Sequence, residues 1–105
     1  MRLPLSSLRL KKFSFPILVF RVQGDSMFPT IKSGQFVVVR KKPPVNPIGK
    51  LIVFENQGLL KIKRIKMSDH NNFWVLGDNL EFSQDSRHFG AVSKQVVKGF
   101  VIKVI

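Results

Sequence analysis

Gly24-Asp25-Ser26-Met27-Phe28-Pro29-Thr30 is a polar turn set between two apolar runs, Pro16-Ile-Leu-Val-Phe-Arg-Val22 before it and Phe36-Val-Val-Val39 after it. Both runs are rich in the β-branched and aromatic residues that fit a pleated, half-buried surface, so each is read as a strand. Gly24 permits positive φ or a close backbone approach, while Pro29 fixes its own φ and biases Phe28 toward extended geometry. A serine held at a strand end by such stiff flanks is presented to a groove, which makes Ser26 a candidate nucleophile. Gly, Asp, Ser and Pro are also the ordinary residues of turns, so turn chemistry alone leaves Ser26 a plain turn serine as readily.

Outward from this turn the pattern stays β. Strands are expected over residues 35–40, 51–55, 59–66, 73–76 and 96–105, with Asn56-Gln57-Gly58 as a hairpin turn and the proline-rich residues 41–49 as a loop. Helical periodicity is absent apart from a weak trace at the start of the chain. Short, closely spaced strands without crossover helices predict a single small antiparallel, mainly β domain with little or no helix, its sheets curling on each other.

The 105 residues, 44% of them hydrophobic, leave room for one domain and one core. With no Cys, disulfides, thiol catalysis and thiolate metal sites are excluded; two His make a zinc site implausible, and no metal or cofactor is expected. The formal charge of +12, from 18 Lys+Arg against 6 Asp+Glu, attracts polyanions, whether nucleic acid or an anionic membrane surface. Nucleic acid is disfavoured, because the ten Phe and Trp74 fall mostly inside apolar runs rather than between basic residues. A solvated basic face with no specific partner is the plainer reading of the charge. Residues 1–12, where Arg2, Arg9, Lys11 and Lys12 interrupt four leucines, are set apart as a basic arm, either an amphipathic helix on a membrane or a disordered tail. Residues 13–105 are assigned to the domain itself. The run over residues 13–22 falls well short of the roughly 20 needed to cross a bilayer, so no transmembrane span is expected and the chain is placed in the cytoplasm or at a membrane periphery.

Leu60-Lys61-Ile62-Lys63-Arg64-Ile65 alternates as a strand, with Lys61, Lys63 and Ile65 on one face and Leu60, Ile62 and Arg64 on the other. A lysine serves as a base only when neutral, although its reference pKa is about 10.4. Burial among apolar groups such as Met27, Ile65 and Phe89 would lower it; a solvated strand-edge lysine is the alternative. Lys61 and Lys66 are read as solvated.

Ser-Met-Phe-Pro-Thr-Ile with Ser33-Gly34, then Lys63-Arg64-Ile65, then Gly77-Asp78-Asn79 with Ser83, Asp85-Ser86-Arg87 and Gly90, resemble three boxes of the type I signal peptidase family in the family's order. Small family members without an anchor, such as the maturation proteases of nickel-type superoxide dismutase, are similar in length. The resemblance implies a β fold shared with the self-cleavage domain of SOS-response repressors, and a Ser-Lys endopeptidase that removes a leader or propeptide from a precursor after small residues. On that resemblance Ser26 is the nucleophile and Lys63 the general base. Ser83 would hydrogen-bond to Lys63 and orient it, with Asp85, Arg87 and Arg64 as support. Asp25, Met27 and Pro29 are assigned to the substrate groove, and Gly77, Asp78, Asn79 and Gly90 to structural turns, Asp78 and Asn79 as caps. Asp85 and Arg87 would pair with each other or with Arg64. The expected partner is a protein or peptide substrate, with peripheral contact to anionic membrane.

Two departures from the family pattern matter. Gly24 stands where many members carry a serine that donates to the oxyanion, so the hole must rest on the Ser26 backbone N–H and a second donor. The Pro-Gly-Asp that often follows Lys-Arg is replaced by Met67-Ser68-Asp69-His70, and few residues separate the last two boxes, so the groove is expected to be shallow or completed by a partner. Two rival readings are a Ser-His-Asp triad using His70 or His88, and a basic β domain that binds nucleic acid or anionic lipid without catalysis.

Overall fold

The computed structural model describes residues 17–105, which carry seven strands: β1 (Ile17–Arg21), β2 (Phe36–Arg40), β3 (Leu51–Asn56), β4 (Leu59–Ser68), β5 (Asn72–Leu76), β6 (Val92–Ser93) and β7 (Val97–Val104). They form one continuous sheet in the order β1-β2-β7-β3-β4-β5-β6, with every pairing antiparallel. Helix among the described residues is confined to the four-residue α1 (Ser86–Phe89) and two 3₁₀ turns, Leu80–Phe82 and Lys94–Val96. The expected mainly β, antiparallel domain is what the chain forms, with strand ends within about two residues of the expected ones and the two-residue β6 unforeseen. The basic arm and its boundary at residue 13 lie outside the described residues.

The β3–β4 hairpin turns through Gln57 and Gly58, both at positive φ (52° and 76°), the twist that a two-residue loop needs to follow the strands it joins. β3 buries four consecutive residues because both of its faces are covered. Leu51 and Val53 enter one cluster with Phe20, Val22, Met27, Ile31, Val37, Val39 and Ile62. Ile52 and Phe54 enter a second with Ile65, Phe73, Val75, Val92 and Phe100. The alternation of side chains along a strand explains this partition.

Two features of this architecture fix the places of Ser26 and Lys63. The turn after β1, which carries Ser26, is pegged into the first cluster by Met27 and Ile31, both essentially inaccessible to solvent. β4, which carries Lys63, lies between β3 and β5, so its residues belong to an interior strand and not to an edge.

Candidate active site

The Ser26 turn is closed by its own backbone. Phe28 N–H donates to Asp25 O at 3.1 Å, Ile31 N–H to Met27 O at 3.0 Å, and Gly24 N–H to Ser33 Oγ at 3.1 Å. Gly24 has φ 89°, the left-handed geometry that its lack of Cβ makes easy. Ser26 itself is half-buried, and among the described residues its N–H donates to no other group. That free amide is available as an oxyanion donor.

The segment 77–79 is laid against this turn. Asn79 N–H donates to Ser26 O at 2.9 Å, Asn79 Nδ2 to Asp25 O at 3.0 Å, and Asp78 N–H to Met27 Sδ at 3.4 Å. Thr30 Oγ1 donates to Asp78 Oδ2 at 2.5 Å. Gly77 is squeezed between the two serines of the site: a Cβ there would lie 2.6 Å from the Ser26 carbonyl oxygen and would overlap the Ser83 side chain. Only glycine fits between them.

Arg64 carries the connection to β4. Its guanidinium grips Asp78 through Nε to Oδ1 at 2.8 Å and Nη2 to Oδ2 at 2.7 Å, and its Nη1 donates to Gly49 O at 2.7 Å. The pair holds the Asp78 carboxyl below the usual carboxylate range, chiefly through the Arg64 hydrogen bonds. Lys63, one residue earlier, therefore points to the opposite face. There it stands opposite Ile52 on β3 and two residues from Ile65, and it is 4% exposed. Desolvation lowers its pKa to about 8, with Lys61 and Arg87 adding to the fall and the Asp85 charge opposing it.

Asp85 is the fully enclosed anion beneath these elements. It accepts from Gly77 N–H at 2.9 Å, from Ser83 Oγ at 2.8 Å, and from Arg87 Nε and Nη2 at 2.8 and 3.0 Å. Burial alone would raise its pKa; the hydrogen bonds from Arg87, Gly77 and Ser83 outweigh burial and hold it well below the usual carboxylate range. It also caps α1 in a reciprocal box, accepting from Arg87 N–H while its own N–H donates to His88 Nδ1.

Several expectations change in detail. Ser83 Oγ donates to Asp85, and among the described residues no hydrogen bond joins Lys63 to Ser83 or to Ser26. Of the two expected alternatives, Asp85 pairs with Arg87, while Arg64 takes Asp78, so the two ion pairs are separate. Asn79 makes no side-chain cap for the 3₁₀ turn it precedes; its amide reaches the Asp25 carbonyl instead. Met27 is packed in the cluster on the other side of β3 from Ile65, and Phe89 receives the Lys61 ammonium at 4.9 Å over its ring. Lys61 also bonds Asn56 Oδ1 at 2.9 Å, so it is not merely solvated. His88 is engaged in the capping box and His70 sits in the exposed loop after β4, and neither is bonded to Ser26. Sequence patterning does not single out Thr30, Phe28 or Phe82. The first looks like any turn hydroxyl, and phenylalanines in apolar runs are expected in the core, yet Phe28 and Phe82 are exposed.

The Ser26 turn, a desolvated lysine on an interior strand and a glycine-tight packing of the two box segments make up the candidate site of this small β domain. The chain matches the Peptidase S24-like family over residues 3–97 and belongs to that family. None of the curated proteins matches the chain. Among the described residues no helix is long and apolar enough to cross a membrane.

Proposed function

We propose that the chain is a Ser-Lys endopeptidase of the signal-peptidase kind, which cleaves a leader or propeptide from a precursor protein after small residues. The observation that carries this reading is the burial of Lys63, whose pKa of about 8 leaves an appreciable neutral fraction near neutral pH. A structural lysine on an interior strand, with no ion-pair partner among the described residues, would be a costly ornament.

In this mechanism the Ser26 hydroxyl oxygen attacks the peptide carbonyl carbon as Lys63 Nζ removes its proton. The oxyanion forms against the Ser26 N–H. On collapse the C–N bond breaks and Lys63 returns the proton to the leaving amine. Lys63 then deprotonates a water that attacks the Ser26 ester, releasing the new carboxylate and restoring the serine. Ser83, whose hydroxyl donates to Asp85, keeps lone pairs free to accept from Lys63, the contact through which it would orient the amine during the reaction. The substrate strand pairs by backbone along the groove. The reading is similar to that of small members of the signal peptidase family, and contact with an anionic membrane surface fits the +12 charge.

The test is cleavage of a peptide bearing an Ala-x-Ala site by wild type, Ser26→Ala and Lys63→Ala across pH 6 to 10 at two salt concentrations. Loss in both variants with a basic limb in the wild-type profile supports the dyad. No cleavage by wild type, joined to salt-sensitive binding of DNA or anionic vesicles that Ser26→Ala leaves intact, overturns it.

A further inference from the structure

Asp25, Phe28, Asn79 and Phe82 line an open depression of about 220 Å³ beside the nucleophile turn. Asp25 directly precedes Ser26, and Asn79 is bonded to both the Asp25 and Ser26 carbonyls. The two rings are turned to solvent, Phe28 being 46% and Phe82 72% exposed.

The distribution of negative charge singles this place out. The chain has only six acidic side chains against 18 basic ones. Four are engaged: Glu55 with Lys98, Asp69 with the amides of Asn71 and Asn72, Asp78 with Arg64, and Asp85 with Arg87. The other two, Asp25 and Glu81, have no ion pair or hydrogen bond from their side chains among the described residues. Asp25 lines the depression, whereas Glu81, between Leu80 and Phe82 in the chain, is not among its lining residues. The nearby guanidinium groups of Arg64 and Arg87 are each held two-pronged by their own aspartate. A strongly basic protein thus places one of its two unpaired carboxylates, Asp25, in a hollow walled by two exposed aromatic side chains.

A carboxylate with ring faces around it attracts ammonium or guanidinium groups, by ion pairing and by the negative potential over each ring. The hollow is smaller than the pockets that enclose drug-sized ligands, and its size suits a single side chain. We propose that it is a specificity subsite that takes one Lys or Arg side chain of the peptide substrate, with Asp25 as the charge partner and Phe28 and Phe82 as the aromatic walls. The assignment of the peptide as substrate rests on the peptidase reading above. The long-range field works in the opposite sense, since the net charge repels a cationic peptide, so preference for a cation at one position must arise locally.

The experiment scans one Lys through each position of an Ala-x-Ala peptide, against norleucine and Glu at the same position. Binding to Ser26→Ala is read by fluorescence anisotropy, and kcat/KM is read with the intact nucleophile. One position is expected at which Lys outperforms norleucine by roughly three- to thirtyfold. Asp25→Asn should shrink that ratio, Asp25→Lys should turn the preference toward Glu, and Phe82→Ala, at a side chain too exposed to support the fold, should weaken Lys selectively. Lys no better than norleucine at every position, or a ratio unmoved by Asp25→Asn and Phe82→Ala, overturns the subsite. Cleavage without any Lys preference therefore sinks the subsite and leaves the peptidase reading standing. Asp25-dependent binding of the Lys peptide to a protein that cleaves nothing does the reverse.

Discussion

The backbone N–H of Asn79 donates to the carbonyl oxygen of Ser26 at 2.9 Å, joining two turns that lie 53 residues apart in the chain. From Asn79 the linkage runs through Asp78 to Arg64, and Arg64 is the neighbour of Lys63 on β4. The Ser26 turn and Lys63 are therefore linked by one continuous run of bonds. Precision of this kind matters because a misplacement of about 1 Å can lower a rate by roughly a hundredfold.

Lys63→Met is expected to abolish cleavage and to stabilise the fold. A lysine whose pKa falls from 10.5 to about 8 on folding is held less readily as a cation in the folded state, which corresponds to about 3 kcal/mol against folding at pH values below 8. The unfolded chain binds more protons between pH 8 and 10.5, so wild-type stability should rise through that window. Urea titrations at pH 7 and pH 10 would show a gap between the variant and wild type that narrows at the higher pH. A gap independent of pH would contradict a desolvated lysine.

Cleavage by wild type should increase through pH 8, following deprotonation of Lys63. A log kcat/KM profile that is flat from pH 6 to 10 would remove Lys63 as the base.

Asp85→Ala is expected to cost about 3 to 5 kcal/mol, since it strands the Arg87 guanidinium, the Gly77 N–H and the Ser83 hydroxyl together. The depressed Asp85 pKa means that wild-type stability is fully present above the normal carboxylate pKa of about 3.9 and is lost as pH falls below it. Acid unfolding followed by circular dichroism should show a weaker pH dependence in the variant.

Gly77→Ala should damage activity and stability together. Its Cβ meets the Ser26 carbonyl at 2.6 Å, a backbone atom that cannot rotate aside, so one of the two turns must shift. Overpacking of this sort costs about 1 to 3 kcal/mol. Thermal unfolding and peptide cleavage would be measured on the same preparation, and full activity would show that the turns tolerate separation.

Arg64→Lys should leave the fold largely intact while lowering kcat by roughly ten- to a hundredfold, because a point ammonium cannot reproduce the two-pronged grip on Asp78 or the third bond to Gly49 O. Unchanged kcat would mean that the Thr30 and Asn79 bonds suffice to hold the Ser26 turn.

The strands are legible in the sequence because each apolar run alternates or is bounded by turn residues: the Gln57-Gly58 turn, the proline-rich loop over residues 41–49 and the β-branched runs on both sides of Ser26 announce themselves locally. The boxes also mark Ser26, Lys63, Ser83 and Asp85 as residues to watch. What local pattern does not contain is pairing across the chain. Asp78 takes Arg64, 14 residues away, because the pairing of β4 with β5 brings them together, whereas Asp85 takes Arg87 locally, within the cap of α1. The Ser83 hydroxyl likewise donates to Asp85 two residues on. Alternation along β4 puts Lys63 and Arg64 on opposite faces by sequence alone. That Lys63's face is buried against Ile52, and its pKa thereby lowered, follows only from having β3 beside it, since desolvation depends on neighbours that no stretch of chain carries with itself.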